Sequence, residues 1–196
     1  MKKDAQGRLF VISAPSGSGK TTLCNKLLDD SLDLANSVSM TTRKPRPGEA
    51  EGIDYHFISR SKFQKMIEAE EFLEYEENFG ELYGTPKKFI ERNLQKGRSV
   101  LLSIDVKGAM KVKRYYPGNS VLIFILPPSV RALKKRLFSR KSEDKHAITR
   151  RVGLAKKELA YKNKYDHRIV NDRLANAYKK LKNIILREEQ NAAGHR

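Results

Sequence analysis

Lys20 and Thr21 stand side by side directly after a glycine-punctuated loop, Ala14-Pro15-Ser16-Gly17-Ser18-Gly19, and Thr22 follows them. Together these residues can grip a polyphosphate. Glycines let backbone N–H groups turn inward toward an anion, and a helix starting at the loop adds the positive end of its dipole. Lys20 can reach the outer phosphates, and the Thr21 hydroxyl can ligate Mg²⁺. Ala14 occupies the place where the phosphate-loop pattern has its first glycine. Alanine avoids positive φ, so this position is expected to be extended.

Such a loop must be held between a strand and a helix. Leu9-Phe10-Val11-Ile12 precedes it as a short apolar run, and Leu23, Leu27 and Leu28 follow at helical spacing. Two further runs, Val100-Leu101-Leu102-Ser103-Ile104 and Val121-Leu122-Ile123-Phe124-Ile125-Leu126, suit strands buried on both faces of a parallel sheet. Ser129 suits an N-cap for a helix over 129–139, Ile169-Val170 reads as a short last strand, and 173–189 carry a helical pattern. This alternation predicts an α/β fold: a phosphate-loop core with a parallel sheet flanked by helices. Residues 36–88, rich in Pro, Gly, aromatic and acidic residues, break the alternation. They are expected to form an inserted substrate subdomain with a helix near 61–69. The polar stretch 139–149 is expected to be a mobile lid. The division is therefore 1–35 with 89–137 and 158–196 as core, 36–88 as insertion and 138–157 as lid.

The chain has 196 residues and a formal net charge of +17. Polyanionic substrates, nucleic acid and a solvated basic surface all fit that charge. Lysine pairs such as Lys156-Lys157 and Lys179-Lys180 scatter over helix faces, and no compact basic motif interleaved with aromatics is evident, so specific nucleic-acid binding is not expected. Cys24 is the single cysteine, which rules out an intrachain disulfide and suits a reducing cytoplasm. Its place between Leu23 and Leu27 reads as helix packing. No run approaches the ~20 apolar residues of a membrane span. The run after the basic Met1-Lys2-Lys3 is too short for a signal-peptide core, so a cytoplasmic location is expected.

A second constellation begins at Thr41-Thr42-Arg43-Lys44-Pro45-Arg46-Pro47-Gly48-Glu49, where Arg43 and Arg46 lie three apart on a proline-stiffened loop. Planar guanidinium forks suit a phosphate dianion. Asp54-Tyr55-His56-Phe57, Glu71-Phe72-Leu73-Glu74-Tyr75 and Leu82-Tyr83-Gly84-Thr85 follow, then Ile104-Asp105-Val106-Lys107-Gly108 and Ile169-Val170-Asn171-Asp172. Each piece alone also fits a bland turn or strand. Taken in order with the phosphate loop, they resemble guanylate kinase from Leu9 to about Glu188.

The resemblance implies transfer of the γ-phosphoryl group of ATP to GMP, with Mg²⁺, in purine nucleotide metabolism. By the same likeness, Arg43, Arg46, Tyr55 and Tyr83 hold the GMP phosphate, and Ser39, Glu74, Thr85 and Asp105 surround guanine. Arg136, Arg140 and Arg151 come onto the ATP phosphates, and Asn171 lies at the adenine end. A carboxylate such as Glu74 can accept from both N1–H and the N2 amine of guanine, whereas adenine would face it with a lone pair. The second phosphate ionisation near pKa ~6 leaves GMP nucleophilic without a protein base. Lys20, Arg46, Arg140 and Arg151 are the expected catalytic charges.

The chain departs from the family pattern in places. Ser103 stands where an acid is usual, Lys107 replaces the usual glutamine, Thr85 stands for a serine, and Lys141 follows Arg140 in place of glycine. The alternative is a catalytically silent guanylate-kinase-like module that binds protein. Such modules typically have damaged phosphate loops, and this loop is intact. Oligomeric state is left open.

Overall fold

A computed structural model describes residues 7–30, 32–138 and 145–194. Strand β1 (Leu9–Ser13) leads through the phosphate loop into helix α1 (Lys20–Leu28), and β2 (Leu34–Ser37) follows. The chain then builds β3 (Met40–Thr41), β4 (His56–Phe57), α2 (Arg60–Glu68), β5 (Phe72–Asn78) and β6 (Glu81–Pro86). Helix α3 (Lys87–Gln95) leads back to β7 (Ser99–Ser103), then α4 (Val106–Tyr115) and β8 (Ser120–Leu126). Helices α5 (Val130–Phe138) and α6 (Lys145–Leu159), a 3₁₀ turn at Ala160–Lys164, β9 (His167–Val170) and α7 (Leu174–Gly194) complete it.

Five strands form one parallel sheet in the order β2-β7-β1-β8-β9. The central strands carry continuous apolar runs, with serines only at the strand ends, because both faces are covered. Alternate side chains go to opposite cores. Leu9, Val11, Leu102, Leu122 and Phe124 meet Ile90 and Leu94 of α3 and Val106, Ala109 and Val112 of α4. Phe10, Ile12, Leu101, Ile123 and Ile125 meet Leu23, Cys24 and Leu27 of α1 and Ala177, Leu181 and Ile185 of α7. Truncating a fully buried ring such as Phe10 to alanine would cost about 3–5 kcal/mol. Cys24 is buried in this second core, as its spacing indicated.

Strand β2 pairs with β7 through Asn36↔Leu101 and Ser37↔Leu102. The chain therefore leaves the parallel sheet after Ser37, slightly later than the sequence boundary at residue 36. Only Leu34 and Ala35 of this edge strand join a core, which is why it lacks an apolar run.

The intervening strands form a second, mixed sheet ordered β4-β3-β6-β5. Its β5–β6 hairpin turns through Phe79 and Gly80, both at positive φ, and pairs Glu74 with Thr85. The helix expected near 61–69 is α2, capped by Ser59 Oγ, which accepts from the Lys62 N–H at 3.2 Å. Likewise Ser129 Oγ accepts from the Ala132 N–H at 3.0 Å and starts α5. Residues 145–149 of the polar stretch form the first turns of α6. Residues 139–144, and with them Arg140, lie outside the described residues.

Candidate active site

The order of the parallel strands puts a crevice where the phosphate loop emerges. Connections from β1 and β7 diverge at this point, and such switch points at the carboxyl ends of strands are where open α/β sheets bind ligands. Register places Ile12 beside Ser103, so the phosphate loop and the end of β7 are neighbours. Ile104 N–H donates to the Ile12 carbonyl at 3.2 Å and Ser13 Oγ to the Asp105 carbonyl at 3.3 Å, tying the two strand ends together.

Positive φ in the loop falls on Gly17 and Gly19, both at 87°, and not on Ala14. Gly19 caps α1, and a Cβ there would collide with the Asn171 amide. The loop is thus a shaped cradle whose glycines are sterically required. The Ser18 hydroxyl inside it is buried without a hydrogen-bond partner. Lys20 Nζ donates to Ser103 Oγ at 2.8 Å. Burial pulls the Lys20 pKa down, while Cys24, Asp105, Glu158 and Glu74 pull it up. An ammonium half-shielded from water in this way is strongly drawn to an arriving anion.

Asn171 does more than its expected place at an adenine implies. It is buried, and its Nδ2 donates to the Ser18 carbonyl at 2.8 Å. Arg136 Nη2 donates to the Asn171 carbonyl at 3.1 Å. Both residues brace the phosphate loop from behind, and neither lines the cleft.

The cleft itself encloses about 320 Å³. Pro15, Ser16, Lys20, Thr21 and Thr22 line one side of it, and Ser39, Arg46, Tyr55, Glu74 and Tyr83 the other. Asp105 and Arg151 also face it. Arg43 is held bidentately by Glu49, at 2.9 Å through each nitrogen, and stacks its guanidinium over Tyr55 at 5.4 Å. The Glu49 hydrogen bonds push the Arg43 pKa up. Glu49 also accepts from the Arg46 N–H at 2.8 Å, and Tyr55 meets Tyr83 edge-on at 5.8 Å. One carboxylate therefore organises both arginines of the loop, a role the sequence did not suggest.

Glu74 is 7% exposed and accepts from the Thr85 hydroxyl. Burial pushes its pKa up to about 7, with the Thr85 hydrogen bond opposing. It sits so close to α4 that a Cβ at Gly108 would run into its carboxylate. Asp105 is already engaged. Its Oδ1 caps α4, accepting from Lys107 N–H at 2.9 Å and Gly108 N–H at 2.8 Å, and its Oδ2 accepts from the Asn78 amide at 2.8 Å. Lys107 points at Glu76, 3.6 Å away.

Besides Glu49, sequence reasoning missed two residues here. Asn78 holds Asp105 from the hairpin, and Glu158 on α6 faces the cleft. Burial pushes the Glu158 pKa up to about 7, with Asp105 adding and Lys20 and the Ser16 N–H opposing. The signal for Glu158 was its helical spacing from Arg151, seven residues and two turns away.

A parallel sheet whose first strand runs into this loop, with Lys20 and Thr21 at the head of the next helix, defines a P-loop nucleotide-binding fold. A family profile described as guanylate kinase matches residues 6–188. Guanylate kinase of Clostridium perfringens is 46% identical over 187 residues, covering 95% of this chain and 86% of that one. Guanylate kinase of Wolbachia pipientis is 46% identical over 188 residues, covering 96% and 94%. The crystal structure of guanylate kinase from Anaplasma phagocytophilum superposes with a TM-score of 0.80 at 35% identity, covering 95% of this chain and 88% of that one. The chain belongs to the guanylate kinase family.

Proposed function

We propose that this protein transfers the γ-phosphoryl group of ATP to GMP, giving ADP and GDP. The observation that carries this reading is the single cleft shared by the phosphate loop and the Glu74–Thr85 pair. One wall suits a polyphosphate and the other a guanine.

The ATP phosphates lie along the loop N–H groups and the α1 N-terminus, with Lys20 turning from Ser103 to the outer phosphates. Thr21 would be the protein ligand for Mg²⁺, alongside the nucleotide's phosphates and water. That metal neutralises charge on the transferring group when bound. Its fit rests on the shaped cradle and on the hydroxyl placed at the helix start.

Arg43, Arg46, Tyr55 and Tyr83 hold the GMP phosphate, with Glu49 setting the pitch of the two arginines. Glu74, as the carboxylate, accepts from guanine N1–H and the N2 amine, and Thr85 fixes its orientation. Ser39 and Asp105 complete the base pocket, Asp105 mainly by starting α4 in the right place. The GMP dianion attacks without a protein base. Lys20, Arg46, Arg151 and Arg140 then oppose the charge that spreads over the equatorial oxygens.

With the boundary moved past β2, we take residues 38–88 as the GMP-binding region, 138–157 as a closing lid and the rest as core, working in the cytoplasm on purine nucleotides. Among the described residues, no helix is long and apolar enough to cross a membrane. The test is Lys20→Met. It should lower turnover at least about a hundredfold while GMP still binds. A variant with near-normal kcat would contradict the role of the loop.

A further inference from the structure

Glu158 carries the one carboxylate oxygen among the described residues, Oε2, that is buried without a hydrogen-bond partner. The residue is 9% exposed and lines the cleft. Ser16, part of the cradle that would meet a phosphate, lines the same cleft.

The other acidic groups near Lys20 are committed elsewhere. Asp105 spends one oxygen on the α4 cap and the other on Asn78. Glu74 takes the Thr85 hydroxyl. From β7, Lys20 meets the hydroxyl of Ser103 and not an acid. The uncommitted acceptor at the mouth of the phosphate loop is therefore delivered by α6. Arg151, Leu154 and Glu158 share one face of that helix and all face the cleft.

A carboxylate in that place has an electrostatic consequence. The terminal phosphate of free ATP is largely dianionic at neutral pH, and a second anion held beside it in a poorly solvated cleft repels it. Metal-loaded ATP carries less net charge, and water bound to a cation is a strong hydrogen-bond donor. An acceptor with an open lone pair welcomes the second ligand and penalises the first. We propose that Glu158 makes the phosphate loop selective for metal-loaded ATP over free ATP. This rests on the reading of the loop as the ATP site.

The test is calorimetric binding of ATP, without GMP, in EDTA and in excess Mg²⁺, in mildly alkaline buffer. Wild type should prefer the metal-loaded form. Glu158→Gln keeps the size of the side chain but removes the charge. It should tighten binding of free ATP about tenfold or more and change the metal-loaded form far less, so the preference collapses. Glu158→Ala should collapse it too, and Glu158→Asp should retain it. An unchanged ratio in both neutral variants, or equal weakening of both forms, would overturn the inference and leave Glu158 with a packing role only. Failure of wild type to bind either form would overturn the ATP reading itself.

Discussion

Lys20 Nζ donates a 2.8 Å hydrogen bond to Ser103 Oγ, so the cation of the phosphate loop is held by the neighbouring strand before any nucleotide arrives. Ser103→Ala removes the acceptor from a half-buried ammonium. Leaving such a group unsatisfied costs about 1–3 kcal/mol or more. The denaturation midpoint should fall accordingly, and an unchanged midpoint would mean water replaces the hydroxyl without loss. Ser103→Asp adds a charge opposite Lys20 and should shift the Mg²⁺ dependence of turnover. Superimposable Mg²⁺ titrations would mean that the strand end does not face the metal.

Asn171 braces the loop through the Ser18 carbonyl and packs against Gly19. Asn171→Ala removes a buried hydrogen bond worth about 1 kcal/mol, roughly fivefold in affinity. The KM for ATP should rise by that order while GMP binding is unaffected. Equal effects on both substrates would place Asn171 in general stability and not in the loop.

The Glu74 carboxyl is raised from 4.5 to about 7, mainly by burial. Its folded pKa thus exceeds the unfolded one. Between those values the folded chain keeps a proton that the unfolded chain has released, so folding stability falls as pH rises through this window and levels off above about 7. Glu158 contributes with the same sign. Guanine recognition needs the ionised form, so GMP binding near neutral pH should release a proton and tighten as pH rises. Calorimetry in two buffers of different ionisation enthalpy reads that proton directly. Identical heats would contradict the role given to Glu74.

Gly108 lies against the Glu74 carboxylate. Alanine favours a helix by about 1 kcal/mol over glycine. Gly108→Ala should therefore leave α4 intact while displacing Glu74, weakening GMP at least about tenfold and sparing ATP. Normal GMP affinity would mean the carboxylate can move without consequence.

The legible parts of the fold were those with local signals. Strands β1, β7 and β8 are sandwiched between two helical layers, so burial on both faces wrote them as continuous apolar runs. The edge strand β2, reading Leu-Ala-Asn-Ser, carried too little apolar weight to be seen. In β5, Leu73 and Glu74 are both buried, and a register shift between Phe72 and Glu74 breaks simple alternation. That burial is what turns an apparent member of an acidic run into a perturbed carboxyl. Glu158 was masked by Lys156 and Lys157, since a charged helix face reads as solvated until tertiary packing brings it to the cleft at the phosphate loop, far away in the chain. Asn78 and Glu49 act by holding other side chains, and such support has no signature in spacing.

The most direct test of the account is ADP release from ATP and Mg²⁺ with GMP, AMP, UMP or no acceptor. Strong turnover with GMP, and only background with the other three, is the predicted result. Comparable turnover with AMP would contradict guanine recognition by Glu74, and no turnover with any acceptor in folded protein would contradict phosphoryl transfer at this site.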